Sequence, residues 1–377
     1  MRVLVTGGAG FIGSHVVDRL VERGVEVVVL DNLDPQVHGE GASIPRYLER
    51  HVLSGAIEFR RGDVRDPAAV EAALSGVDSV VHLAAAVGVG QSMYQPHYYT
   101  SVNVDGQGVL MEAMAREPAR FRRFIVASSM SIYGEGAYRC AEHGMLAPGP
   151  RDERRLAAGE WELLCPACGS ALEPALTSED KPLQHTSVYA ITKKAQEELG
   201  LCFGRAYRIP TVALRFFNVY GSRQALSNPY TGVAAIFMGR LRSGRAPLIF
   251  EDGRQSRDFI HVSDVAGAVV RALEVEEVET GAYNVCTGRP VEVRGVALAL
   301  ARRLGVDIAP EIVGRYRTGD IRHCVGDPSR ARAVLGFEAR TSFDEGLDEL
   351  IAWSTEERVL DRVDASFAEL ERQGLVR

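Results

Sequence analysis

Two polar residues four apart carry the first chemical signal. In Ser187-Val188-Tyr189-Ala190-Ile191-Thr192-Lys193, the tyrosine and the lysine share one face of a helix predicted from Ser187 to about Tyr207. A phenol with a pKa of ~10 is a poor base. A neighbouring ammonium favours the phenolate and lowers that value. The pair therefore suits removal of a proton from a hydroxyl. A further hydroxyl would complete such a site, and Ser128-Ser129-Met130-Ser131-Ile132-Tyr133-Gly134 offers candidates at the end of an apolar run.

A second signal is the loop Gly7-Gly8-Ala9-Gly10-Phe11-Ile12-Gly13. It follows the apolar run Val3-Leu4-Val5 and opens a helical segment, Ile12 to Arg23. Gly7, Gly10 and Gly13 let the backbone turn sharply and approach a pyrophosphate, which then rests on the helix N-terminus. Asp31 ends the next apolar run and is followed by Asn32, not by an arginine. An acid there accepts from ribose hydroxyls and repels a 2′-phosphate, so the expected cofactor is NAD and not NADP. Asp63 and Val64 follow the third run and are candidates for the adenine edge. Leu83-Ala84-Ala85-Ala86 ends the fourth with small side chains that admit a close cofactor. In this setting Lys193 also reaches the nicotinamide ribose, and the oxidised nicotinamide adds to the stabilisation of the Tyr189 phenolate.

The elements that must position these groups follow from the rhythm of the chain. Val25 to Leu30, Ile57 to Phe59, Val80 to Leu83, Phe124 to Ala127 and Thr211 to Phe217 read as buried strands. Helical segments such as Pro67 to Leu74 lie between them. That alternation predicts an α/β protein, a doubly wound parallel sheet of the Rossmann type. Residues 1–222 form the expected dinucleotide domain, and residues 223–377 a smaller substrate lobe with some segments returning to the first. Thr355 to Arg377 reads as a charged helical tail.

Residues 135–185 break the rhythm with Pro, Gly, Cys and charge, and read as an insertion. Inside it, Cys140-Ala141-Glu142-His143 and Cys165-Pro166-Ala167-Cys168-Gly169 form C-x-x-H and C-x-x-C pairs. Their spacing suits one tetrahedral zinc held by Cys140, His143, Cys165 and Cys168, with no open position and so a structural role. Cys202 and Cys286 lie in apolar stretches and are expected in the core.

Together these motifs resemble the extended short-chain dehydrogenase/reductase family, in its nucleotide-sugar epimerase and dehydratase branch. Two later motifs support the resemblance, Arg215-Phe216-Phe217-Asn218-Val219-Tyr220-Gly221 and Arg257-Asp258-Phe259-Ile260-His261-Val262-Ser263-Asp264. The resemblance implies that Ser129 is the catalytic hydroxyl, Tyr189 the acid/base and Lys193 its partner. It implies that Asn103 supports the site near the cofactor. It assigns Asn218, Arg257 and Arg317 to the diphosphate of a nucleotide sugar, which guanidinium forks bind in fixed geometry. It also implies a homodimer.

The shared first step of such enzymes takes a proton from the sugar C4 hydroxyl and hydride from C4, giving a 4-keto sugar. Dehydratases carry an acid pair directly after the catalytic hydroxyl residue, but here those positions are Met130 and Ser131. Neither is a strong enough acid to protonate a leaving hydroxyl, so dehydration is not expected. Val87 to Tyr94 resembles the sugar-facing loop of bacterial dTDP-L-rhamnose 4-epimerase-like proteins. Gln91, Ser92 and Tyr94, with Ser131, become candidates for sugar hydroxyls, and Met93 for a 6-deoxy methyl. The leading expectation is a dTDP-6-deoxyhexose 4-epimerase. A decarboxylase, a 4-ketoreductase and a non-catalytic dinucleotide sensor are the alternatives. The presence of Ser129, Tyr189 and Lys193 together favours an enzyme over the sensor.

The formal charge of −7 argues against nucleic acid or an acidic membrane as partner. No apolar run approaches ~18 residues, so no membrane span is expected. A cytoplasmic location is the corresponding expectation.

Overall fold

The computed structural model describes residues 1–357 and 361–377. Seven parallel strands form the main sheet. Five come from the first third of the chain: β1 (Arg2–Thr6), β2 (Glu26–Asp31), β3 (Ile57–Arg61), β4 (Ser79–His82) and β5 (Arg123–Ser129). They lie in the order β5-β4-β1-β2-β3, and Thr211–Phe216 and Gly281–Val285 extend the sheet beyond β5. Val3 sits between Val27 on one side and Ser79 on the other. The chain winds one way through β2 and β3 and the other way through β4 and β5. The carboxyl ends of β1 and β4 therefore flank the crevice where such sheets bind ligands.

Helices cover both faces. On one, Val16, Val17 and Leu20 of the helix Phe11–Glu22 share a core with Val265 and Val269 of Val262–Glu274. On the other, Val70, Leu110, Met114 and Phe203 join a second core, from helices Pro67–Ala73, Gly106–Ala115 and Val188–Tyr207. These strands are apolar on both faces because both are covered, as the sequence pattern required.

The second sheet was not visible in the sequence. Its order is Asn218–Tyr220, Ser256–His261, His323–Gly326, Glu173–Thr177, Ala137–Cys140 and Gly144–Leu146, with Pro290–Glu292 pairing at Ser256–His261. Half of its main path comes from residues 135–185. The insertion is thus no loose appendage, because its strands continue the sheet of the smaller lobe. Buried charges fasten it there. Arg322 is fully buried, and its guanidinium meets Asp252 at 2.6 Å, Glu251 at 3.1 Å and Glu162 at 2.5 Å. Its backbone N–H donates to Glu135 Oε1 at 2.8 Å. Arg151 donates to Glu251 at 2.7 Å and to the Asp320 carbonyl at 2.9 Å. A buried cation needs this many acceptors to offset lost hydration.

The expected tail at Thr355 to Arg377 contains a helix, Val363–Arg372. Residues 358–360 lie outside the described residues. No helix among the described residues is long and apolar enough to cross a membrane. Cys286 is buried as expected, but Cys202 is exposed. The helix buries Gly200, Phe203 and Gly204 and turns Cys202 away from that face.

Candidate active site

A cavity of about 670 Å³ runs from the carboxyl ends of β1 and β4 into the second lobe. Its dinucleotide end is built on the glycine loop. Gly7 has φ +69°, and a Cβ there would lie 2.8 Å from Ala84 N, after β4. A Cβ on Gly13 would lie 2.1 Å from the Gly7 carbonyl oxygen. Only glycine permits this approach of loop, helix and sheet. Gly10 caps the helix without a side-chain hydrogen bond, so its first N–H groups stay available to an anion. Asp31 ties the loop down by accepting from Ala9 N and Leu33 N, each at 2.9 Å.

Gly7, Gly10, Phe11, Ile12, Gly13, Asp31, Asn32, Asp63, Val64, Leu83, Ala84 and Ala85 all line the cavity. Asp63 is held by Arg65, at 2.7 Å, and by Asn32. The Arg65 hydrogen bonds bring its carboxyl down to about 2. The residues present fit a dinucleotide: a cradle that a Cβ would fill, a free helix N-terminus and an acid at the end of β2.

Asn103 stands apart from these residues. It does not line the cavity and is fully buried. It sits on a π-helical turn, Ser101–Asp105, and binds both polar backbone atoms of Ala86, at 2.7 and 3.1 Å. It also donates to Thr192 at 2.9 Å. It therefore ties the loop after β4 to the Val188–Tyr207 helix from behind the cavity wall, and supports the site without touching its contents.

Ser129, Tyr189 and Lys193 line the cavity together. β5 delivers Ser129 to the cavity wall that also carries Tyr189. Burial pushes the phenol up, and Ser129 opposes that shift. Lys193 is buried and donates to Gln196 Oε1 at 2.6 Å. Burial brings its ammonium down to about 7, with Glu197 opposing. Gln196 in turn meets His82 Nε2 at 3.2 Å, and His82 Nδ1 meets Thr6 Oγ1 at 2.8 Å. Burial holds His82 far below its ordinary range, at about 3, so it is neutral. Gln196 can then donate to Nε2 only if the histidine proton sits on Nδ1. Gln196 and His82 were not singled out in the sequence, because nothing in residue type marks a support behind a lysine.

Gln91, Ser131, Asn218, Arg257 and Arg317 also line the cavity. Gln91 exchanges amide hydrogen bonds with Gln36 and accepts from Tyr99 at 3.0 Å. Ser131 donates to Ser129 Oγ at 3.0 Å. Arg257 is anchored on the carbonyls of Ser256, Ile321 and Arg322, at 2.6–2.9 Å. Asp320 joins the two arginines, 2.6 Å from Arg317 and 3.3 Å from Arg257. Burial raises its carboxyl, but Arg317, Arg257 and Arg151 outweigh that and hold it well below the usual range.

Ser92 and Tyr94 stand behind the residues that line the cavity. Ser92 is fully buried; its hydroxyl donates to the Val89 carbonyl at 2.7 Å and accepts from Tyr189 N at 2.9 Å. It is a cap for the helix that carries Tyr189. The Tyr94 hydroxyl is committed to that of Tyr230, at 2.5 Å.

Four polar atoms on cavity-lining residues are buried with no hydrogen-bond partner among the described residues: Asn218 Oδ1, Gln224 Oε1, Gln255 Oε1 and Thr318 Oγ1. Buried polar groups rarely stay unpaired, so a polar ligand is the natural partner here. Gln224, Gln255 and Thr318 were missed because single polar residues in loops carry no periodic signal.

Outside the cavity, Cys140, His143, Cys165 and Cys168 converge, with all ligand atoms within 4.8 Å of one another. Cys140 Sγ lies 3.5 Å from His143 Nδ1 and 3.6 Å from Cys168 Sγ, and Cys165 Sγ lies 3.6 Å from His143 Nδ1. A tetrahedron with Zn–S of ~2.3 Å and Zn–N of ~2.0 Å has edges of about 3.5–3.8 Å. The donor set and spacing fit that ion. Gly169, with φ +73°, turns the second pair back so that its N–H reaches the Cys165 carbonyl at 2.8 Å.

A crevice at the strand carboxyl ends, a glycine cradle and a Ser/Tyr/Lys cluster define a dinucleotide-dependent oxidoreductive site facing a polar substrate cleft. Residues 3–152 and 166–286 match the model of the NAD dependent epimerase/dehydratase family. The gap, 153–165, falls within the insertion. A dTDP-L-rhamnose 4-epimerase of Burkholderia thailandensis is 35% identical over 96% of each chain. The UDP-glucose 4-epimerase of Bacillus subtilis is 29% identical, over 93% of this chain and 97% of that one. Among solved structures, the Thermotoga maritima UDP-glucose 4-epimerase with UDP-glucose superposes with a TM-score of 0.75 at 30% identity, covering 94% of this chain and 99% of that one. The Thermus thermophilus UDP-glucose 4-epimerase in complex with NAD gives 0.72 at 32% identity, covering 95% and 100%. The chain therefore belongs to the NAD-dependent epimerase/dehydratase family, and its class of activity is that of an NAD-dependent nucleotide-sugar epimerase.

Proposed function

We propose that this chain inverts C4 of a dTDP-linked 6-deoxyhexose through a transient 4-keto sugar. The observation that carries the reading is that Ser129, Tyr189 and Lys193 line one cavity whose substrate end carries Arg257 and Arg317. Tyr189 takes the proton of the C4 hydroxyl, and Ser129 holds that hydroxyl in line. The Lys193 ammonium stabilises the phenolate. The residues from Gly7 to Gly13 and Asp31 would hold NAD, which would supply the acceptor for the C4 hydride and its source on return. Arg257, Arg317 and Asn218 hold the diphosphate while the keto sugar turns its other face. Tyr189 then gives the proton back.

Met130 and Ser131 stand where dehydratases need acids, which supports inversion over elimination. The thymidine-linked sugar is supported by the Burkholderia thailandensis relative and by Met93 on the cavity wall. The zinc at the Cys/His cluster is part of the proposal, as a structural ion. So are a homodimer and a cytosolic location, both drawn from the family resemblance. Incubation with a panel of dTDP- and UDP-sugars, followed by proton NMR, tests the function. A C4-inverted dTDP-6-deoxyhexose is the expected product. Turnover confined to UDP-sugars would overturn the assignment of the substrate.

A further inference from the structure

The segment 363–377 reads from sequence as a charged tail, but it forms part of the substrate cavity. Phe367, Leu370 and Leu375 line the cavity. A Cβ on Gly90, in the short helix Val89–Tyr94, would lie 3.0 Å from Leu370. The same helix therefore reaches the dinucleotide domain on one side and the smaller lobe on the other.

Its grip on the lobe centres on Arg317. The backbone at 375–377 pairs with 316–318: Tyr316 and Arg377 exchange N–H···O bonds of 2.9 and 3.0 Å, and Thr318 N donates to Leu375 O at 3.0 Å. Side chains repeat the connection. The Arg317 guanidinium lies 4.8 Å above the Phe250 ring. Phe250 stacks on Phe367, with centroids 5.6 Å apart and planes at 25°. Arg315 lies 5.3 Å over the Phe367 ring and pairs with Glu371 at 2.5 Å. The contacts run from Arg317 to Phe250, from Phe250 to Phe367 and from Phe367 to Arg315.

An exposed arginine on a loop has many rotamers, and a stacked guanidinium has few. Arg317 is 45% exposed and has one carboxylate partner, Asp320, which it shares with Arg257. Its hydrogen bonds to Asp320 Oδ2, at 2.6 and 3.1 Å, hold one edge of the guanidinium, and the Phe250 ring beneath it holds the face.

We propose that Phe367 is a positioning residue for nucleotide-sugar binding. Through Phe250 it holds Arg317 toward the substrate diphosphate, and with Leu370 it walls the cavity beside it. This inference rests on the reading of Arg317 as a diphosphate ligand. It assigns the segment 363–377 to substrate affinity, not to NAD binding or to the proton transfer at Tyr189.

The test uses the full chain with Phe367→Ala, Phe367→Leu, Phe367→Tyr and Arg317→Ala. The readouts are KM and kcat for the nucleotide sugar that is turned over, calorimetric affinity for dTDP and UDP, and bound NAD. Phe367→Ala should raise KM and weaken the nucleoside diphosphate by about three- to ten-fold, the loss expected for an aromatic pair. Bound NAD and kcat should stay near wild type. Phe367→Tyr keeps the ring and should restore KM. If the alanine variant does not fold, Phe367→Leu decides, because it keeps volume but not the stack. Wild-type KM in folded Phe367→Ala or Phe367→Leu, alongside a raised KM in Arg317→Ala, would overturn the inference. Wild-type KM in Arg317→Ala would instead overturn the diphosphate reading beneath it.

Discussion

Replacing Ser92 by alanine separates two roles for one hydroxyl. As a sugar ligand, its loss would raise KM and leave stability alone. As the cap seen here, its loss strands the Tyr189 N–H in the first turn of the Val188–Tyr207 helix. Ser92 is fully buried, so water cannot readily take its place. Ser187 still accepts from Ala190 N at 3.1 Å, so the helix keeps one cap. Losing such a cap costs about 1–2 kcal/mol. For 377 residues, at about 2.1 cal/mol/K each, the unfolding entropy is about 0.8 kcal/mol/K. The melting temperature should then drop by about 1–3 °C. The same change frees the start of the helix that aims Tyr189, so kcat should fall by about ten-fold or more while KM changes less. Differential scanning calorimetry and steady-state kinetics on Ser92→Ala read both quantities. An unchanged melting temperature with a raised KM and wild-type kcat would refute the capping role and restore the sugar contact.

Tyr189→Phe removes the proton acceptor but keeps the ring beside Tyr99, 6.3 Å away at 85°. It should lose about 10² or more in kcat and still contain NAD, and wild-type turnover in the folded variant would remove Tyr189 from the chemistry. Asp31→Ala should relax the preference for NAD over NADP, measured by competitive binding. Because Asp31 also holds Ala9 N and Leu33 N, NAD itself should bind less tightly. Equal affinity of the unmodified protein for the two cofactors would contradict the role given to Asp31. Elemental analysis should find about one zinc per chain, bound less well as pH falls and the thiols protonate. Cys165→Ser should expose the knuckle to protease while the strands Ala137–Cys140 and Glu173–Thr177, held in the lobe sheet, resist longer. Metal-free protein with a protease-resistant knuckle would show that the cysteines only pack.

The parts legible in the sequence are those whose signal is local. The glycine loop, the apolar strands and the Tyr189/Lys193 spacing each report their own geometry, so cradle, sheet and helix could be placed from residue types alone. Cys140 to Cys168 was legible for the same reason, since ligand spacing is a local pattern. The second sheet was not, because Glu173–Thr177 joins the lobe by pairing with His323–Gly326, far along the chain, and Ala137–Cys140 joins it only through Glu173–Thr177. Arg322 and Arg151 look like surface arginines until Glu135, Glu162, Glu251 and Asp252 close around them. Ser92 shows the limit at the site itself. A serine in a sugar-facing loop suggests a ligand, and only the position of Tyr189 N reveals a cap. Phe367 carries no local mark of function; its meaning comes from Phe250 and Arg317.

The most direct test of the account follows the C4 hydrogen. A dTDP-6-deoxyhexose deuterated at C4 is incubated with the enzyme in ordinary water, and the product is read by NMR. The account predicts an inverted C4 that retains its deuterium, with no NADH accumulating in solution, because the same atom leaves and returns within one cavity. Loss of deuterium to solvent, or a product not inverted at C4, would contradict it.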